Sequence, residues 1–146
     1  MIMITTITPQ EFPALIPVWE NAVRATHDFL SEQDIAALRA QIPDYFPMVT
    51  LRVCRDPQGQ IQGFVGLAGE TIEMLFIDAR SRGKGIGRAL LTWAIEQGAN
   101  QLDVNEQNPQ ALAFYQHCGF EVIGRSALDG QGRPFPLLHM RYVKSR

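Results

Sequence analysis

Leu75-Phe-Ile-Asp-Ala-Arg-Ser-Arg82-Gly-Lys-Gly85-Ile-Gly87-Arg-Ala-Leu-Leu91 is the stretch from which the fold is read. Thr71 to Asp78 has the apolar, β-branched character of a strand. From Ile86 to about Gln97 the apolar residues Ile86, Ala89, Leu90, Leu91, Trp93, Ala94 and Ile95 cover most of a helix surface, which predicts a largely buried helix. Between them Gly83, Gly85 and Gly87 remove side chains where strand hands over to helix. Exposed N–H groups at such a helix start bind anions, assisted by the helix dipole. Arg80, Arg82, Lys84 and Arg88 concentrate positive charge there although the chain carries a net charge of −2. A diphosphate ligand follows physically; a plain turn with a helix cap is the alternative. The segment is not a P-loop, which needs Gly-x-x-x-x-Gly-Lys-Ser/Thr. Nor is it a dinucleotide fingerprint, because the third glycine falls on Arg88 or Leu90.

Working outward, Ile2 to Ile7 reads as a short strand. Thr8, Pro9 and Glu11 then form a helix start with a Thr-x-x-Glu capping box, and Ile7 and Phe12 stand at the staple positions. Phe12, Leu15, Ile16, Trp19, Ala22 and Val23 recur at helical spacing, with a bend expected at Pro17. Ser31-Glu-Gln-Asp34 starts a second helix, expected to end before Pro43. Met48 to Arg55 and Ile61 to Leu67 read as a hairpin about Asp56-Pro57-Gln58-Gly59. Gln101 to Val104 is a brief strand, Asn108-Pro109 opens another helix, and Gly119 stops it. Glu121 to Leu128 and Phe135 to Val143 close the chain as strands. The order β-α-α-β-β-β-α-β-α-β-β is a mixed α/β layer with mainly antiparallel hairpins.

The 146 residues are 46% hydrophobic and 19% charged, the profile of one globular domain. Thirteen basic residues less two lysines, Lys84 and Lys144, leaves eleven arginines against fifteen acidic residues, which argues against a nucleic-acid partner. No apolar run approaches the ~20 residues of a membrane span, and no membrane partner is expected. The opening Met1-Ile-Met-Ile-Thr lacks the positive region of a secretory signal. Cys54 and Cys118 have neither zinc nor Cys-x-x-Cys spacing, so a reducing cytoplasm is the default expectation.

The strand-to-helix segment resembles motif A of the GCN5-related N-acetyltransferases, the GNAT family, whose core is Gln/Arg-x-x-Gly-x-Gly/Ala. Asn105-Glu-Gln-Asn108-Pro-Gln-Ala-Leu-Ala-Phe-Tyr115-Gln-His-Cys-Gly119-Phe120 resembles its motif B, in the right order and at family spacing. Thr26-His-Asp-Phe-Leu30 and Pro134-Phe-Pro-Leu-Leu138 are similar to a group of small bacterial single-domain members. The resemblance implies an α/β (α+β) GNAT fold: one twisted, mixed, mainly antiparallel sheet with helices on both faces, in one domain over 1–146. It also implies acetyl-CoA as cosubstrate, no metal, and a homodimer as the oligomer to expect. The pyrophosphate would lie on the N–H groups of Arg82, Gly83, Lys84, Gly85, Ile86 and Gly87, with Arg82 and Lys84 meeting phosphate charge and Arg88 one turn further on. The pantetheine would pair along the strand end at Leu75, Phe76 and Ile77, since its two amides mimic a neighbouring strand. Asn108 would face the cofactor, or serve as the N-cap before Pro109, or both.

Tyr115 is the position at which family members direct a hydroxyl to the CoA sulfur as general acid; packing on Phe114 and Phe120 is the structural alternative. An acceptor amine with a pKa of ~10.4 must lose a proton, so a base is needed. Glu73 comes first, Asp103 second and His27 third. A backbone N–H near Phe76 would meet the oxyanion. Cys118, Trp19, Trp93 and Phe64 read as packing residues, and His117 and His139 as isolated, which argues against a metal site. Asp129 to Arg133 reads as a mobile glycine loop on the acceptor side. The function implied is acetyl transfer to a primary amine of a small molecule or protein by direct attack in a ternary complex. The rivals are a non-catalytic CoA-binding or sensing domain and a nucleotide hydrolase or phosphotransferase.

Overall fold

The structure is a computed structural model that describes residues 2–143; Met1 and 144–146, with Lys144 among them, lie outside. The chain divides into two compact units, Met1–Ala99 and Asn100–Arg146.

In the first unit, β1 (Ile4–Thr5), β2 (Thr50–Arg55), β3 (Ile61–Ala68) and β4 (Thr71–Ile77) pair in sequence order, each antiparallel to the last. The expected turn closes β2 onto β3: the Gly59 N–H donates to the Asp56 carbonyl at 2.9 Å, and Gly59 takes φ +85°. Alternation along the strands then sorts side chains between two faces. Val53, Phe64 and Phe76 share one face by register, and Val53 and Phe64 are buried with Leu15, Trp19, Ile35 and Phe46. Those partners come from α1 (Leu15–Thr26), α2 (Glu32–Tyr45) and the 3₁₀ turn Phe46–Met48. Full burial of each such side chain contributes about 1.5–3 kcal/mol. Gly63 faces the other way: a Cβ there would come within 3.2 Å of Ile86 Cγ2 in α3 (Ile86–Glu96). Arg52, also on that face, stacks over the Trp93 ring at 5.1 Å. Helices therefore cover both faces of this sheet.

Two helix boundaries depart from expectation. Pro9–Ala14 is 3₁₀ and α1 begins at Leu15, so Pro17 falls in the first turn, where its missing N–H breaks no α-helical bond of α1. The Glu11 carboxylate accepts from the Thr8 N–H and hydroxyl at 3.1 and 3.2 Å. The Ser31–Asp34 box forms reciprocally, each bond 3.0 Å, but α2 runs through Pro43 to Tyr45. In that last turn the proline forfeits one backbone bond, while Ile42 before it and Phe46 after it are buried.

The second unit holds β5 (Gln101–Asn105), α4 (Pro109–His117), β6 (Phe120–Ser126) and β7 (Leu137–Tyr142). The last strand inserts between the other two, so β7 pairs antiparallel with both β5 and β6. Leu102, Val104, Phe120 and Met140 are its buried apolar residues. Among the described residues, no helix is long and apolar enough to cross a membrane.

Candidate active site

The glycine segment follows β4 through a tight turn. Asp78 accepts the Arg80 N–H at 2.9 Å and pairs with its guanidinium at 3.1 and 3.0 Å. That guanidinium holds the Asp78 carboxyl below the usual range, against the opposing effect of burial. Arg80 is thus paired within its own turn, and Arg82, Lys84 and Arg88 are exposed near it. The turn is tied to α1 by the Ala79 N–H, which donates to Asn21 Oδ1 at 2.7 Å.

Gly83 and Gly85 take φ +78° and +80°, the left-handed region that side chains disfavour. Gly87 does not; it lies inside α3. A Cβ at Gly83 would meet nothing and one at Gly85 only Ile2 Cδ1 at 3.7 Å, so backbone conformation demands these glycines and the space above them is open. Gly85 is the N-cap of α3, with no side-chain cap and no acidic residue in the first turn. The leading N–H groups of α3 are therefore left to an external acceptor. Beside Gly85 an open groove of about 460 Å³ is lined in part by Arg88, Thr92 and Trp93. Trp93 is half-buried rather than core.

Glu73 occupies a special place in β4. Met74 pairs with Gly66 and Ile72 with Leu67, which leaves Glu73 as the extra residue of a β-bulge. Bulges bend a strand and re-aim a side chain. Here the buried Ile72 and Met74 flank an exposed carboxylate. Beyond the bulge Leu75, Phe76 and Ile77 are half-buried and pair with Val65, Phe64 and Gly63. His27 caps the C-terminus of α1, its Nδ1 2.7 Å from Thr26 Oγ1 and its ring 5.3 Å from Phe29. Burial pushes its pKa below the ordinary histidine value, against the pull of Asp28.

In the second unit Asn108 is buried and accepts the Ala111 N–H at 3.2 Å, so it is the α4 N-cap. Tyr115, half-buried, lies 5.3 Å from Phe114 and 6.0 Å from Phe120. Burial raises its pKa above the ordinary phenol value, and Cys118 adds to the rise. Like any tyrosine it is a hydroxyl at neutral pH, and burial disfavours its ionisation further. Its oxygen has no hydrogen-bond partner among the described residues.

His139 is not isolated, contrary to the sequence reading. Its Nδ1 lies 2.6 Å from Asp103 Oδ1 and its Nε2 lies 2.6 Å from Ser126 Oγ. Asp103 and His139 read as polar positions in alternating strands, but only the insertion of β7 beside β5 makes them neighbours. Ser126 carried no signal of its own. The Asp129–Arg133 loop closes on itself: Asp129 Oδ1 accepts the Gln131 and Arg133 N–H groups, each at 2.9 Å. Among the described residues, no cluster of three metal-ligating side chains exists.

Residues 49–122 match the family model of the acetyltransferase (GNAT) domain. The chain is 42% identical to the peptidyl-lysine N-acetyltransferase YjaB of Salmonella typhimurium LT2, over 97% of this chain and 99% of that one. Identity to YjaB of Escherichia coli K12 is 40% over 92% of each chain. The solution structure of apo-form YjaB from Escherichia coli superposes with a TM-score of 0.91 at 38% identity, covering 99% of both chains.

Proposed function

This chain belongs to the GNAT family and is an N-acetyltransferase, and from that premise we propose that its 146 residues act as one domain moving an acetyl group from acetyl-CoA to a lysine side chain of a protein. The observation that carries the cofactor reading is the uncapped start of α3 behind two left-handed glycines, with exposed Arg82 and Lys84 beside it. A pyrophosphate accepts those N–H groups and meets that charge. The pantetheine amides pair along Leu75 to Ile77, and a backbone N–H of that stretch facing away from β3, that of Leu75 or Ile77, meets the carbonyl oxygen as it becomes anionic, a contact worth about 10²–10³ in rate.

The reaction is a direct attack. The amine nitrogen adds to the thioester carbonyl, the C–S bond breaks, and the Tyr115 hydroxyl donates its proton to the departing thiolate. At neutral pH the Tyr115 phenol carries its proton, as an ordinary tyrosine does, and can hydrogen-bond to the sulfur as charge develops there. Glu73 at the β4 bulge and Asp103 on β5 are the candidate carboxylates for drawing a proton from the incoming ammonium. The lysine acceptor is supported by the relatives, which are named for peptidyl-lysine acetylation.

Calorimetric titration of acetyl-CoA, CoA and ATP, followed by thiol release with a lysine peptide, tests the reading. Selective micromolar binding of acetyl-CoA with peptide-dependent thiol release is expected. CoA binding without transfer to any amine would mark a binding domain, and a preference for ATP would reassign the glycine turn.

A further inference from the structure

Ser126, His139 and Asp103 form a continuous hydrogen-bonded chain across three strands of the second unit. With β7 between β5 and β6, His139 stands directly opposite Asp103 on one side and Gly124 on the other. A carboxylate only accepts, so the 2.6 Å contact assigns the proton of the neutral ring to Nδ1. Nε2 then presents its lone pair to the Ser126 hydroxyl at 2.6 Å. Gly124 supplies the floor: a Cβ there would stand 3.4 Å from His139 Cδ2, so the ring lies over bare backbone. Leu102 and Val104, either side of Asp103, are buried, so Asp103 and His139 project from the opposite face. Their side chains keep 51% and 35% exposure, open enough for an acceptor to reach.

We propose that Ser126–His139–Asp103 is the proton relay that deprotonates the acceptor ammonium, with Ser126 as the group that meets the amine. The proposal rests on the acetyl-transfer reading. The ammonium N–H bond breaks and its electron pair stays on nitrogen. That proton passes to Ser126 Oγ while the serine's own proton moves to His139 Nε2. The resulting imidazolium is held by the Asp103 carboxylate and later loses its proton to solvent. No co-reactant is required. A hydroxyl serves because it donates and accepts at once.

The other sequence candidates lack this arrangement. Glu73 has no hydrogen-bond partner among the described residues, and the Nδ1 of His27 is engaged by Thr26 in a buried setting that disfavours a proton. Among the described strand residues of the second unit, the other charges on the relay's face are Glu121 and Arg141, opposite each other and two positions along β7 from His139. Asp103, 2.6 Å from Nδ1, is the anion in direct contact with the ring. Asp129 and Arg133 lie in the loop at the Ser126 end, and Arg125, on the other face, is paired with Glu106.

The test uses the full chain with saturating acetyl-CoA and two acceptors of equal length, a lysine peptide and its weakly basic aminooxy analogue, which is already neutral at pH 7.5. His139→Gln is expected to lower kcat on the lysine peptide by about 10²-fold, and on the aminooxy peptide by no more than about threefold. The wild-type pH profile should level off well below the amine's own pKa of ~10.4, whereas that of His139→Gln climbs about tenfold per pH unit towards it. Ser126→Thr should retain activity that Ser126→Ala loses. Asp103→Asn, expected to show the same selective loss, decides the matter if His139→Gln has a lowered melting temperature. Equal losses on both acceptors, or full activity in the variants, would overturn the relay. So would an acetyl group found on Ser126 after incubation with acetyl-CoA alone. Failure of the wild type on both peptides would overturn the acetyl-transfer reading and the relay with it.

Discussion

In the proposed reaction Tyr115 concentrates the chemistry into one hydroxyl. Its aromatic neighbours fix the ring, its phenol is protonated at neutral pH, and its oxygen is left for an external partner. Tyr115→Phe retains the packing and removes only the proton, so kcat should fall by about 10²–10³ while the Kd for acetyl-CoA stays within about twofold. Steady-state thiol release together with calorimetry checks this, and an unchanged kcat removes Tyr115 from the mechanism. The tyrosine was legible because its neighbours in the chain form a recognisable motif. His139 was not, because its partners are 13 and 36 residues away and meet it only across strands. Asn108 shows the intermediate case: the motif offered a cofactor contact or a helix cap, and the 3.2 Å bond from Ala111 establishes the cap.

At the scale of elements, the start of α3 is the feature on which the proposed cofactor binding depends. Gly85→Asp forces a side chain into φ +80° and places a negative charge over the leading N–H groups, while Arg82→Glu reverses a charge beside them. Each should raise the Kd for acetyl-CoA by about tenfold or more, equivalent to about 1.4 kcal/mol, with circular dichroism confirming the fold. Unaltered affinity in both would displace the pyrophosphate from this turn. Strand and helix identities were legible because hydrophobic periodicity is a local signal. Boundaries were less so. The tolerance of Pro43 within α2 depends on Ile42 and Phe46 being buried around it, and the bulge at Glu73 exists only in the pairing of β4 with β3.

For the whole molecule, two groups of ionisable residues give stability a predictable pH dependence. His27 has its pKa lowered by burial, so the unfolded chain binds the proton more readily. Stability is therefore full above the unfolded value of ~6.5 and declines as pH falls through it towards the folded value. The carboxyls of Glu11, Glu32, Asp78 and Glu106 are lowered by hydrogen bonds, and their contribution disappears only at lower pH, beginning near ~4. Thermal melts from pH 8 to 3 should show two separate declines, of which His27→Gln removes the first. A single decline below pH 4.5 in the wild type would show that His27 is not the group responsible. Composition, the order of elements, the glycine turn and the positions of Tyr115 and Asn108 follow from the chain itself, because each rests on residues close together in sequence. The register of β7 between β5 and β6 and the bulge at Glu73 were decided by folding. Each depends on which backbone lies beside which, and no local pattern of side chains encodes that distance.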